Sequence, residues 1–341
     1  MPRRYRVVVV PGLALALSLA PADPIAAVAG DGALWATSSG VPGAGLPVVR
    51  AHGYRMAGRV RPLLFWIGRD DVGLGRIVWR RDDEGGLGYE LLVGTDPARA
   101  PRAINRWGYV AEERVGRDGL LLALMSRSDE ASYAEAETGV ARPGSGGDFK
   151  AIRGRVSGGA ATSRVFGLQT ATRPTIHELA WVLERVRGEG LEPVGRETTL
   201  SPDVRPGFLA AVAELVDRSV EAARAPGAPA GRVVGSVVPY VFGRSQYEVR
   251  VKSLRPAEPA PGAATAARPV HAVFEIRTIA TGARTRFEMT YGTAGDLAGV
   301  PLTIAWRPRW WLEVELRLDE HGSPGDVTPA VNVATARRPP S

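Results

Sequence analysis

The chain contains no cysteine. This absence excludes disulfide bonds, a thiolate nucleophile, and zinc or iron–sulfur sites that need cysteine ligands. We also expect no lipid anchor of the kind that bacteria attach to a cysteine behind an export signal. A disulfide-free exported protein is held together by its core, and a chain of 341 residues is long enough to bury one.

Lysine is almost missing as well. Of the 43 basic residues only Lys150 and Lys252 are lysines, an arginine bias typical of a GC-rich bacterial genome. The net charge is +7, but basic and acidic residues are interspersed and no block of five or six like charges occurs. Such dispersed charge is typical of an ordinary solvated surface, so we expect no nucleic-acid partner.

Long hydrophobic runs are also absent. The apolar stretch 7–19 is shorter than the about 20 residues that a membrane-spanning helix needs. It follows Arg3, Arg4 and Arg6 and precedes the small-residue site Ala27–Ala29, which is the pattern of a secretory signal. We therefore expect export to the periplasm or the cell exterior and no transmembrane anchor. A retained N-terminal anchor is the alternative.

No complete catalytic or cofactor motif is present. His177-Glu178 begins like a zinc metalloprotease motif, but position 181 is Trp181 where the second histidine is required. Serine hydrolase and lactamase spacings do not occur. Gly73-Leu74-Gly75 lacks the third glycine of a dinucleotide fingerprint and is interpreted as a pair of hairpin glycines. The sequence therefore predicts no cofactor and no metal.

Short strand-like runs separated by Gly, Asp and Pro dominate both flanks of the chain. A mostly apolar run over 60–67 and the alternating run 76–81 are predicted strands, and Gly158-Gly159 is predicted to form a hairpin turn. This regular spacing predicts antiparallel sheet. The segment 129–137, rich in Ala and Glu, interrupts the pattern as a predicted short helix.

The middle of the chain is predicted to be helical. Thr175 and Glu178 have the spacing of a capping box ahead of an apolar stripe that reaches Val186. A second helix is predicted to start at Pro206 and to carry its own stripe to Val220. The fold class is therefore α+β, with antiparallel β-rich sheets (a meander, curved sheet or sandwich) and two main amphipathic helices in the middle of the chain.

Six segments follow from these patterns. They are a signal peptide over 1–29, a flexible lead-in over 30–50, a β-rich region over 51–174, a helical region over 175–225, a second β-rich region over 226–320 that packs with the helices, and a disordered tail over 321–341. The sequence leaves open whether the two β-rich regions share one sheet.

Paired carboxylates are the only candidate catalytic groups. Asp70 and Asp71 lie just beyond an aromatic strand, and adjacent carboxylates raise each other's pKa. With Glu112 or Glu113 from another strand they form a candidate hydrolase site, since glycoside hydrolysis needs two carboxylates about 5 to 10 Å apart. The interpretation we favour is that the two aspartates form a turn, in which Asp commonly bonds to its own backbone.

Aromatic and arginine residues cluster in three places. Trp and Arg together stack on ligands and are enriched at binding hot spots. The alternative is that the aromatics belong to the core with arginine stacked over them. The candidate binding residues are Trp66, Arg69, Arg106, Trp107, Tyr109, Arg309, Trp310 and Trp311.

Two functional hypotheses remain. The first is a non-catalytic exported binding or structural protein whose sheet surface or groove takes an apolar or amphipathic small molecule or an envelope protein partner. The second is a carboxylate-based hydrolase with glycoside hydrolase-like chemistry. The missing catalytic motifs favour the first.

Overall fold

The computed structural model describes residues 41–60, 66–126, 149–168, 174–188, 197–224, 233–258, 268–309 and 312–319. Four predicted features lie outside these ranges: the signal 1–29, the short helix 129–137, the tail 321–341 and the tryptophan pair 310–311. Among the described residues, no helix has the length and apolar character needed to cross a bilayer.

Within these ranges the chain forms fifteen strands and two α-helices. The strands are β1 (Val48–Val60), β2 (Ile67–Arg81), β3 (Leu87–Thr95), β4 (Trp107–Val115), β5 (Asp118–Ser126), β6 (Phe149–Ser157), β7 (Ala160–Leu168), β8 (Thr198–Thr199), β9 (Arg205–Pro206), β10 (Val237–Phe242), β11 (Ser245–Pro256), β12 (Pro269–Thr278), β13 (Arg284–Gly292), β14 (Pro301–Arg309) and β15 (Leu312–Leu318). The helices are α1 (Leu179–Gly188) and α2 (Phe208–Arg224), and single 3₁₀ turns occur at Pro101–Ala103, Ile176–Glu178 and Gly295–Leu297.

All the strands belong to one sheet. Its order is β8-β7-β6-β5-β4-β3-β2-β1-β15-β14-β13-β12-β11-β10-β9, and β1 joins its two halves by pairing with both β2 and β15. Every neighbouring pair is antiparallel except β9 and β10, which are parallel. The prediction of antiparallel sheet with two main helices is confirmed, but the α+β class is corrected to a mostly β fold, because both β-rich regions build the same sheet.

The sheet curls until its two ends overlap. Pro206 of β9 lies against β5, where a Cβ on Gly119 would be 2.4 Å from the proline Cβ. Val241 of β10 clusters with Val156 of β6 and Ala161 of β7. Val156 lies on the inner face of the sheet and Val241 lies on its outer face. The inner face of the sheet at β6 therefore covers its outer face at β10. The result is a roll with an inside and an outside.

The two helices lie on opposite sides of this sheet. Successive side chains of a strand point to opposite faces, and in β4 Val110 clusters with residues of α2 whereas Tyr109 clusters with residues of α1. α1 covers the outside through Leu179, Val182 and Val186. α2 lies inside the roll and packs mainly on β10.

Two local predictions are confirmed. Gly158 and Gly159 have φ values of 58° and 81° and form the turn between β6 and β7, since both central residues of this tight hairpin need positive φ. Thr175 and Glu178 form the predicted capping box, in which the Thr175 N–H donates to the Glu178 carboxylate at 2.7 Å.

Most of the strand predicted over 60–67 lies outside the described residues, since 61–65 are not among them. At its two ends, Val60 belongs to β1 and Ile67 to β2, and the two residues are register partners across this pair of strands.

Asp70 and Asp71 form a β-bulge inside β2 and not a turn. The register between β1 and β2 shifts from Met56 opposite Gly73 to Gly58 opposite Arg69, and Asp71 has a φ of 58°. Gly73 is also no hairpin glycine: a Cβ there would lie 2.1 Å from the Gly94 carbonyl oxygen. The close approach of β2 to β3 at this point therefore requires a glycine at position 73.

Pro206 does not open the second helix. It belongs to β9, and Pro206 pairs with Val241. Gly207 follows with a φ of 105°, and α2 begins at Phe208. The sequence suggested Pro206 because proline is common at the first helical position, but the strand pairing determines the boundary here.

Candidate functional site

A cavity of about 400 Å³ lies between α2 and the inner face of the sheet. Its walls come from β2 and β3 on one side and from β13, β14 and β15 on the other, with α2 as the third wall. The apolar side chains that line it include Ile77, Leu91, Val93, Leu209, Val212, Val216, Met289, Ile304 and Leu316, together with the aromatic rings of Trp79, Tyr89, Phe208, Phe287 and Trp306.

The helical wall of the cavity is one of two apolar faces of α2. Leu209, Val212 and Val216 follow one another at helical spacing and line the cavity. Leu215, on the neighbouring face of the helix, is completely buried against the sheet. Leu209 and Val212 are only half-buried although they lie inside the roll, because the cavity leaves them without packing partners on that side.

Glu112 fixes the start of this helical wall. It projects inward from β4, is 1% exposed, and accepts the backbone N–H groups of Phe208, Leu209 and Ala210 at 2.8, 3.1 and 3.0 Å. These are orphan donors at a helix N-terminus, where a carboxylate is favoured. Gly207 is required beside it, because a Cβ there would lie 2.2 Å from a Glu112 carboxylate oxygen.

Burial raises the pKa of Glu112 to about 7. The three N–H groups act in the opposite direction, since hydrogen bonds to the ionised form favour it. The loss of hydration therefore outweighs the capping bonds. The carboxyl group is buried within the fold and anchors the helix.

The mouth of the cavity is polar and is formed by Arg50, Arg81 and Asp217 beside the Ala298–Gly299 turn. Arg50 Nη1 donates to the Ala298 carbonyl oxygen at 2.8 Å. A Cβ on Gly299 would lie 3.9 Å from Asp217 Oδ1, so this turn lies between Arg50 and α2. We call these three charged side chains the mouth charges.

The mouth also perturbs its titratable groups. Partial burial, followed by the nearby negative charge of Glu221, raises the pKa of Asp217, while Arg81 and Arg50 oppose this shift. Burial and the charge of Arg50 lower the pKa of His52 on the neighbouring β1. The surroundings of the mouth are therefore partly desolvated, which strengthens charge interactions there.

No group of three metal-ligating side chains occurs within the described ranges. Several of the described acids are instead occupied in ion pairs across the sheet, such as Glu90 with Arg80 at 2.7 Å.

Comparison with known proteins gives a likeness in structure but no family. No protein-family model matches the sequence, and no curated protein is significantly similar to it. A solved β-barrel-like protein of a domain of unknown function, DUF1849, from Brucella abortus is similar with a TM-score of 0.37 and 8% sequence identity. The match covers 79% of this chain and 95% of that chain.

The structure disperses the four candidate catalytic carboxylates. Asp70 is paired with Arg317 at 3.7 Å and Asp71 with Arg99 at 3.0 Å, both at the bulge of β2. Glu112 points inward to α2, whereas Glu113 points outward and accepts the Gly43 N–H at 2.8 Å. These acids do not flank a common cleft.

The described candidate binding residues lie away from the cavity. Trp107 and Tyr109 are buried on the outside of β4 beneath α1, and Trp107 Nε1 donates to the Pro174 carbonyl oxygen at 2.7 Å. Trp66 is half-buried with the Arg307 guanidinium 5.5 Å from its ring centre. Arg69 is exposed, Arg106 is half-buried, and the backbone of Arg309 pairs with Leu312 at the end of β14, whereas Trp310 and Trp311 lie outside the described residues.

Sequence reasoning missed the residues that form the cavity. One signal was available: α2 carries apolar residues on two faces, with Leu209, Val212 and Val216 in addition to Ala211 and Leu215. An apolar arc this wide indicates a helix enclosed on several sides and not one lying on a surface. The strand partners of such a helix cannot be read from the same pattern.

Proposed function

We propose that this chain is a non-catalytic binding protein that takes up the apolar chain of an amphipathic small molecule in the cavity between α2 and the sheet. The observation that carries the proposal is the cavity itself, about 400 Å³ of apolar-lined space inside the roll. Small-molecule pockets are typically about 300 to 1,000 Å³ and lined mainly by hydrophobic and aromatic side chains. The size and the lining both fit a single ligand.

The apolar faces around the cavity support this proposal. Leu209 and Val212 are half-buried inside the molecule, and burying apolar surface is favourable by about 25 cal/mol per Å². A ligand chain in contact with both side chains would recover part of this stabilisation. Natural interiors are otherwise close-packed with few voids larger than a water molecule.

A binding role also requires walls that hold their shape. Glu112 fastens the N-terminus of α2 to β4, and Leu215 anchors the middle of the helix against the sheet. With the export expected from residues 1–29, the ligand would be met outside the cytoplasm. We propose that the protein acts there as a carrier or receptor for such molecules.

Tryptophan fluorescence tests the proposal, because Trp79 and Trp306 line the cavity. A dibrominated stearate should quench these two rings on contact, with saturation at one molecule per chain. The Trp79→Phe/Trp306→Phe double variant should lose most of the quenchable signal. Trp181→Phe is the matched control, since Trp181 is 47% exposed on α1 outside the roll. Absent quenching, or equal quenching in the double variant and the parent, would overturn the proposal.

A further inference from the structure

The charged groups at the cavity do not balance. Besides the mouth charges, its lining includes Arg80 and Glu90, which neutralise each other in an ion pair of 2.7 Å. Among the lining residues, two guanidinium groups, Arg50 and Arg81, then face one carboxylate, that of Asp217. Glu221 also lies near Asp217 on α2 but does not line the cavity. The lining at the mouth therefore carries an excess positive charge.

Arg50 is held in position by the fold. Its Nη1 donates to the Ala298 carbonyl oxygen, and its guanidinium lies 6.0 Å from the ring centre of Trp79. One hydrogen bond uses only one of the five N–H donors of a guanidinium. The remaining donors lie at the mouth, beside the ring that begins the apolar wall.

Arg81 is the more available of the two. Its side chain forms no ion pair within 4.0 Å with any residue that the structure describes, and Asp217 is its electrostatic neighbour across the mouth. Arg81 lies on β2 two residues after Trp79, on the same inner face. An anion at the mouth could contact both Arg81 and Arg50.

From this arrangement we propose that the ligand is a single-chain amphiphile with an anionic head group, a carboxylate or a phosphate, which Arg50 and Arg81 bind while its chain fills the cavity. This inference rests on the proposed function and adds the class of head group. Guanidinium groups bind both anions through charge-assisted, often bidentate, hydrogen bonds. Asp217 repels the head group and so weakens binding.

Calorimetric titration of the full chain with ligands that differ only in the head group tests this inference. Laurate and lauryl phosphate should bind at least about tenfold more tightly than lauryl alcohol, the effect of roughly one charge-assisted hydrogen bond. Laurylamine should bind more weakly than the alcohol. Added salt should reduce the advantage of the anions, since it screens charges at a solvent-accessible mouth.

Variants of the mouth charges sharpen the test. Arg81→Gln should weaken laurate binding about tenfold and so remove most of the preference for laurate over lauryl alcohol, whereas Asp217→Asn should tighten laurate binding. Arg50→Gln should act like Arg81→Gln, although the loss of its bond to Ala298 affects the turn as well. Arg244→Gln is the control, because Arg244 is exposed in the β10–β11 turn.

The outcomes separate this inference from the proposed function. If lauryl alcohol binds as tightly as laurate and Arg81→Gln changes nothing, the anionic head group is refuted while the cavity remains a binding site. Tighter binding of laurylamine, abolished by Asp217→Asn, would mean a cationic ligand instead and also refute it. If none of these amphiphiles binds, the proposed function fails with it.

Discussion

Glu112 connects the sheet to the helix that the sheet encloses. A carboxylate in this position satisfies three N–H donors that would otherwise be buried without partners. The same burial raises its pKa to about 7, so its ionised form costs stability relative to the unfolded chain. One residue thus both positions the cavity wall and makes the stability of the fold dependent on pH.

The sign of this dependence follows from the pKa shift. Glutamate in an unfolded chain has a pKa of about 4.3, so between that value and about 7 the folded state binds more protons. The free energy of unfolding should therefore fall as pH rises through this window, by roughly 3 kcal/mol in total. Urea denaturation of the parent and of Glu112→Gln, each at pH 5 and pH 8, measures this contribution. The difference in unfolding free energy between the two pH values should be smaller in the variant by the share that Glu112 supplies.

Glu113, the residue after Glu112, provides the matched control. Glu113 projects to the opposite face of β4 and accepts the Gly43 N–H, so Glu113→Gln should retain the pH difference of the parent. The variant Glu112→Gln should also be less stable at pH 5, since its amide turns one donor toward the helix N–H groups. An unchanged pH difference in Glu112→Gln would refute this assignment.

At the scale of elements, α2 is a helix with two different apolar environments. Leu215 and Ala211 are completely buried against the sheet, while Val212 faces the cavity. Sequence patterns identified the helix and its apolar residues, but a pattern of residue types carries no information on which face meets protein and which meets empty space. That distinction comes only from the topology of the sheet around the helix.

Two truncations on α2 should separate the faces. Leu215→Ala should lower the free energy of unfolding by about 2 to 5 kcal/mol, because it opens a new void in a packed region. Val212→Ala should cost less than about 1 kcal/mol, since its side chain already borders the cavity, and should weaken binding of the amphiphile. Chemical denaturation measures the loss of unfolding free energy in each variant. Equal losses would contradict the assignment of Leu215 to the packed face of α2 and of Val212 to the face that borders the cavity.

Whether the other elements could be predicted depends on how far apart in the sequence the residues that form them lie. The Gly158–Gly159 turn and the Thr175–Glu178 capping box depend on a few neighbouring residues, and both were predicted. The bulge at Asp71 and the assignment of Pro206 to β9 depend on pairing with distant strands. Local residue types do not encode such pairing, and there the predictions failed.

At the scale of the whole molecule, the described strands form one largely antiparallel sheet that rolls around α2, and its far ends overlap. Composition and alternation predicted the strands, but not that β1 would pair with β15 as well as with β2 and so join the two β-rich regions into one sheet. The cavity follows from this closure, because its walls come from β2, β3, β13, β14, β15 and α2. Residues so far apart in the sequence could not be recognised as one site from motifs.

Crystals of the full chain grown with a dibrominated stearate would test the central claim most directly. Bromine scatters X-rays anomalously, so its position can be found without interpreting the ligand itself. We expect bromine peaks inside the roll, in contact with Val212 and Met289. Peaks confined to the outer surface of the sheet, with the space beside α2 unchanged, would contradict it.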